Sequence, residues 1–367
     1  MTATGTALRT ESTSNGALHD QDENGLPDEC QVVLVPQDVP TIASAITIAP
    51  DGATIIVSPG TYFEHLDLAG KKVKIVAARG APVIIDGGGS SGTLLNISYG
   101  QGPETVIRGL TFRNGKGGSP LPEVPQVLVA GAILVNESSP LIEECIFENN
   151  SSQYGGAVYT RLSSATIHNC TFINNSATDD SGALQGFNSA LTISSCSLAG
   201  NHAGQQGGAT HHSASSASSG DTTIVDCVFD GNGATLGGGV SWAVYGAPHT
   251  IKITDSEFTA NTAVEGGAIR AIPDVAGTLQ LGSTLFCANS SPQIVATKYV
   301  NLGGNTTCPC LGDFNGDNTV GAGDLSILLG FWGPVTPVTP PGIDLNGDGA
   351  ITSADLSLVL GAWGVCG

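Results

Sequence analysis

Between residues 130 and 290 the chain repeats one short pattern of apolar and polar positions. Each unit opens on small residues: Gly131-Ala132-Ile133, Gly155-Gly156-Ala157-Val158, Gly182-Ala183-Leu184, Gly207-Gly208-Ala209, Gly237-Gly238-Gly239-Val240 and Gly266-Gly267-Ala268-Ile269. An alternating run follows. The unit then closes on an apolar residue shortly before an asparagine: Phe147/Asn150, Phe172/Asn175, Leu198/Asn201, Phe229/Asn232, Phe258/Asn261 and Phe286/Asn289. A repeat this short, rich in Gly, Asn and β-branched residues and poor in helix formers, predicts a solenoid of strands. In a parallel β-helix each coil sits about 4.8 Å above the last, so equivalent residues stack. The Phe, Leu and Ile columns then form inward ladders. The asparagines follow a strand, where Asn tolerates a left-handed turn and its amide can bond to the next coil. The Gly pairs supply positive φ at a second corner, where a Cβ would clash with the coils above and below.

These Gly-Gly-Ala-aliphatic and Phe-x-x-Asn units resemble the repeats of polymorphic membrane proteins and, more broadly, the right-handed, pectin-lyase-like β-helix superfamily. The resemblance covers residues 32–305. It implies a fold that hosts lyases, hydrolases, esterases and binding proteins alike, so it does not choose an activity.

The flanks carry other patterns. Thr41 is placed to N-cap a short amphipathic helix after Pro40, and Gly52 to Tyr62 reads as a strand and turn. This opening looks like the capped entry of secreted pectin-lyase-like proteins, in which a helix plugs the apolar end. Leu66-Asp67-Leu68, Val73 to Val76, Val83 to Asp86 and Val106 to Phe112 supply further coils. Residues 115–127 interrupt the repeat and read either as a loop lining a groove or as a tolerated insertion. Cys145, Cys170, Cys196 and Cys227 share one column. They read as small apolar core residues, with disulfides between adjacent coils as the alternative.

After Asn305 the repeat stops, and two acidic loops follow. Asp313, Asn315, Asp317, Thr319 and Asp324 stand at positions 1, 3, 5, 7 and 12 of the first. Asp344, Asn346, Asp348, Ala350 and Asp355 repeat them in the second, position 7 acting through its backbone carbonyl. Each loop enters an apolar helix, Leu325 to Leu329 or Leu356 to Leu360. The duplicated loops with Asp at position 12 resemble a type I dockerin, which implies bound calcium and a cohesin-like or other anchoring partner. Dockerins are read through hydroxyls at positions 10 and 11. Here those are Ala322-Gly323 and Ser353-Ala354, so only one hydroxyl remains for a conventional contact. Cys310 and Cys366 bracket the module. A weaker calcium spacing, similar to thrombospondin type 3 repeats, uses Asp20, Asp22, Asn24, Leu26 and Asp28. An acidic linker is its alternative.

Candidate chemistry on the solenoid is sparse. The column two residues past each Ala reads Leu134, Tyr159, Gln185, His211, Ser241 and Arg270, with Arg161, His212 and Trp242 near it. Facing outward, this strip would suit stacking on sugars and hydrogen bonding to them, with Tyr159, Gln185, His211, Trp242 and Arg270 as the ligand contacts. A merely polar exterior is the other reading. Catalysis on this strip would fall to Asp180, Arg161, His211 and Arg270. The Gly-His-Gly and Arg-x-Lys signatures of pectin-degrading glycosidases are absent.

Composition changes this picture at two points. The formal charge is −20, from 32 acidic and 12 basic residues, which excludes nucleic acid and admits an anionic polysaccharide only through bridging cations. Six of the acids lie in residues 1–31 and six in 311–367, where clustered carboxylates call for a cation. Nine cysteines leave at least one unpaired within the chain. No stretch approaches the ~20 apolar residues of a membrane span, and no signal peptide is visible. The expectation is therefore an all-β right-handed parallel β-helix over 32–305. An acidic segment precedes it over 1–31, and a small α-helical, calcium-binding, dockerin-like unit follows over 306–367. The protein is expected to be exported and monomeric, a surface- or carbohydrate-associated binding module. A polysaccharide lyase or glycoside hydrolase is the alternative, and an adhesin-like spacer the second.

Overall fold

The structure is a computed structural model describing residues 9–10, 31–118, 127–215, 220–244, 249–272, 277–308, 311–315, 319–340 and 342–365. The weaker calcium spacing (Asp20 to Asp28), most of the interruption at 115–127 (residues 119–126), Asp317, Cys310 and Cys366 lie outside these residues. The chain forms two compact units, Met1–Asn305 and Thr306–Gly367.

The first unit is a right-handed parallel β-helix. Three long sheets, of 12, 9 and 9 strands within this unit, run along it, and a fourth of 3 strands lies at one corner. Each coil visits the sheets in turn. Leu141–Glu143, Ile146–Glu148, Ser151–Tyr154 and Val158–Arg161 form one such circuit, across the first, second, fourth and third sheets. Along the second sheet, from Leu110–Arg113 to Leu285–Cys287, pairing is parallel and in register, so Phe112, Phe147, Phe172, Leu198, Phe229, Phe258 and Phe286 align. Ring centroids lie 4.6 Å apart between Phe147 and Phe172 and 4.5 Å between Phe229 and Phe258. Such stacking contributes roughly 0.5–1.5 kcal/mol per pair beyond burial.

A second ladder is polar and fully enclosed. Asn175 Nδ2 donates to Asn201 Oδ1 at 3.0 Å and to the Phe147 carbonyl at 2.9 Å, while its Oδ1 accepts from Asn150 Nδ2 and Asn150 N, each at 3.0 Å. The same bonds recur through Asn201, Asn232 and Asn261. Gly115 N donates into one end of the column, and Gln293 Oε1 accepts at the other. The amide ladder expected from the sequence is present, but the left-handed turn is not made by these asparagines. The residue before each takes it: Asn149, Asn174, Gly200, Gly231, Ala260 and Ala288 have φ between 51° and 62°. The ladder residue itself points inward and cannot also make the turn.

At the glycine corner the first small residue has positive φ (Gly155, 62°) and the second leaves no room for a side chain. A Cβ on Gly156 would strike the carbonyl oxygen of Gly182 in the next coil. The helix α1, Ile42–Ile48, forms as expected. Thr41 Oγ1 accepts from Ser44 N, and Ile42, Ala45 and Ile46 are buried. Glu64 accepts from the amides of Ile42 and Ala43. Lys71 Nζ donates to the carbonyls of Thr47 and Ala49, so both ends of α1 are held.

Cys145, Cys170, Cys196 and Cys227 are buried and free, whereas Cys287 and Cys308 are disulfide-bonded. Each free thiol donates to the carbonyl two residues back, at 3.2–3.3 Å. Ser256 does the same in the next coil, so the column behaves as a row of small side-chain donors.

The second unit holds α2, Ala322–Gly330, and α3, Ser353–Gly361, over a core of Val320, Leu328, Ile343, Ile351 and Val359. No helix among the described residues is long and apolar enough to cross a membrane.

Candidate functional site

The strip on the third sheet keeps its expected register: Leu134, Tyr159, Gln185, His211, Ser241 and Arg270 are successive partners. Its exposure is not as expected. Tyr159 is 7 % exposed, Gln185 and His211 3 %, and Ser241 0 %. The chain, returning through the fourth sheet and the glycine corner, lies across these side chains. A Cβ on Gly207 would fall 2.9 Å from that of His211, and one on Gly155 3.2 Å from that of Gln185. Tyr154 packs against Leu134 and Tyr159. Arg270 pairs with Glu265 at 3.2 Å. Trp242 belongs to the next position along the strand and faces inward, 3 % exposed within the core. The proposed ligand face is therefore an internal seam.

The catalytic candidates are only partly brought together: His211 and Arg270 share the seam two coils apart, and the Arg270 charge adds to the burial that lowers His211. Arg161 stands at the far end of its strand from the glycine corner, bonded to Asn136 and Glu137. Asp180 lies before the corner, paired with Tyr154. Burial, more than its neighbour Asp179, raises the Asp180 carboxyl to about 6. Burial holds His211 down at about 4 and His212, inside the core, at about 3.

The accessible polar face lies on the outer side of the fourth sheet; of its lining, only Lys116 belongs to the stretch, 115–127, that the sequence offers as a groove loop. Gln153 Nε2 donates to Asp179 at 2.7 Å, and Gln205 Nε2 donates to the same carboxylate at 3.3 Å. Burial, then Asp179, push the Tyr154 hydroxyl up to about 12. An open groove of about 480 Å³ runs beside them, lined by Lys116, Leu128, Ser151, Ser152, Gln153, Ser176, Ala177 and Thr178. Lys116 Nζ reaches the Gly89 carbonyl at 3.3 Å, and the neighbouring Gly88 lies against the ring of Phe63, which is 70 % exposed. The available signal was the polar stretch between each ladder asparagine and the glycine corner, such as Ser151 to Tyr154.

In the tail, Asp324 Oδ1 accepts from the amides of Phe314 and Asn315, and Oδ2 from that of Gly321. Asp355 repeats this with Leu345, Asn346 and Thr352. Asp344 accepts from Gly347 and Gly349, and Asp348 from Ala350. These bonds wind the second loop about its own carboxylates and tie the described part of the first to Asp324. The donors are all oxygen, which suits a hard cation. Among the described residues no three acidic, His or Cys side chains converge closely enough to hold an ion. The two helices also leave matching apolar pairs in solvent. Leu329 and Trp332 are each 50 % exposed, and Leu360 and Trp363 are 53 % and 49 %.

Stacked parallel coils and a paired-loop tail define a β-helix protein with an appended paired-loop unit. Residues 89–278, more than half of the 367, match the right handed beta helix region, and the chain belongs to that family. Residues 311–361 match the dockerin type I domain. No curated protein and no solved structure matches the chain.

Proposed function

We propose that this is an exported β-helix protein that binds polysaccharide on the outer face of its fourth sheet and is attached through its dockerin tail. The observation carrying the proposal is the groove beside Gln153, open and lined by hydroxyl, amide and small side chains, with the exposed Phe63 reached beyond Lys116 and Gly88 on the same flank. Polar groups that fix orientation and an aromatic face that stacks are what sugars require.

In the tail, Asp313, Asn315, Asp317, the Thr319 carbonyl and Asp324 hold one calcium ion. Asp344, Asn346, Asp348, the Ala350 carbonyl and Asp355 hold the other. Calcium neutralises the clustered carboxylates and so orders the loops that start α2 and α3. A cohesin-like partner then engages the tail through the exposed Leu–Trp pairs rather than through hydroxyls.

Asp180 favours a second reading. A carboxyl held near 6 beside a second carboxyl group is placed to exchange a proton, which a glycoside hydrolase or lyase needs. The test is a panel of polysaccharides incubated with the whole chain, with calcium and with chelator. Retention without new reducing or unsaturated ends supports the binding protein. Products abolished by Asp180→Asn support the enzyme. Neither retention nor products overturns both.

A further inference from the structure

We infer that the groove on the fourth sheet takes uncharged glycans and discriminates against acidic ones. The inference rests on the ligand face proposed above and adds the chemistry of its ligand.

An acidic glycan is usually held by arginine forks or paired cations, because its charge must be met as it leaves water. Around this groove the guanidinium is committed. Arg113 Nε binds Asp86 at 2.6 Å, and its Nη1 lies 3.9 Å from Glu148. Among the described residues Lys116 is the one cation lining the groove, and it donates to a backbone carbonyl. Asp179 stands at the opposite end, its oxygens turned to Gln153 and Gln205. Asp180 and Glu148 add further negative charge on neighbouring positions. Two cations thus stand among four carboxylates. A uronate or sulfate entering here meets repulsion without a free guanidinium.

A neutral sugar meets the opposite situation. Its hydroxyls donate to Asp179, and hydrogen bonds to a charged acceptor are stronger than neutral ones. The hydroxyls of Ser151, Ser176 and Thr178 both donate and accept. Leu128, 46 % exposed, and Phe63 offer apolar surface to a sugar's C–H face. Ser151 and Ser176 are partners in successive coils about 4.8 Å apart, close to the length of one pyranose, which suits an extended chain.

The test uses pairs of polysaccharides that share a backbone and differ in charge. Hydroxyethylcellulose is set against carboxymethylcellulose, and a plain galactan against a sulfated one, in affinity electrophoresis of the whole chain with calcium and after chelation. The expected result is at least tenfold tighter retention by the neutral member of a pair, kept after chelation. Phe63→Ala and Gln153→Ala should each weaken it several-fold, and Asp179→Asn should narrow the neutral-to-acidic ratio. Equal or tighter retention by the acidic member overturns the inference but leaves the ligand face standing. Retention by neither member, or retention untouched by Phe63→Ala and Gln153→Ala, overturns the ligand face itself.

Discussion

The two units of this chain order polar groups in opposite ways. In the β-helix a buried amide is satisfied by its own kind: Asn201 donates to Asn232 and accepts from Asn175, and the partners repeat from coil to coil. In the dockerin unit a small core of Val320, Leu328, Ile343, Ile351 and Val359 sits beside two carboxylate-rich loops whose charges have no basic side chain to answer them. Repetition makes the solenoid self-sufficient. The tail needs something brought from outside.

The largest effect should separate the units outright. Calorimetry of the whole chain with calcium should show two transitions. Chelation should abolish the tail's transition or lower it by more than about 10 °C, since an ion that binds only the folded state stabilises by mass action. The solenoid's transition should stay where it was. If both fall together, the contrast fails.

Next in size is Asn201→Ala. It removes two donors and an acceptor that serves two partners, and leaves enclosed carbonyls and amides unpaired. The expected loss is about 3–5 kcal/mol in denaturant unfolding. Asn289→Ala, at the ladder's end, should cost less. Equal losses would mean that the ladder has no cooperative middle.

Acid should act on the solenoid through its histidines. His211 and His212 are held neutral, at about 4 and about 3, so what they contribute is whole above about 6.5 and is lost as pH falls toward those values. Asp180, raised to about 6, runs the other way: its contribution is whole below the ordinary carboxylate range and lost as pH rises through about 6. Partial exposure holds this opposing term to about 1–2 kcal/mol. The midpoint of unfolding should therefore drop on acidification, and His212→Leu should flatten that limb. An unchanged slope would place the acid sensitivity elsewhere.

The smallest effect is expected at Cys196→Ser, below about 1 kcal/mol, because Ser256 already fills this role in the same column. Thiol titration after unfolding under non-reducing conditions should find Cys145, Cys170, Cys196 and Cys227 free. A larger loss at Cys196→Ser would show that sulfur's size, not its donor, matters there.

Much of this was legible because the solenoid writes each requirement several times over. Phe147, Asn150 and Gly156 have equivalents in successive coils, so their columns could be read without any structure. The seam could not. Alternation along a strand tells which face Tyr159 and His211 take, but not that Gly155 and Gly207 carry the chain back over that face. Trp242 shows the limit from the other side: one step along the strand moves a side chain from seam to core. The tail's ligand positions follow from loop spacing alone, whereas Phe63, Lys116 and Gln153 come from different coils and share no motif.

The asparagine ladder has one more consequence, for how such a chain can change over time. Successive ladder residues are separated by 25, 26, 31, 29 and 28 positions, yet the amide contacts are the same. Length between rungs is free, while the number of rungs is whole. Gene segments encoding an entire coil can thus be duplicated or lost with the joint resealed by identical neighbours. Insertions within a coil are absorbed by its loops. The molecule's height is counted in integers, and its outline can drift without altering that count.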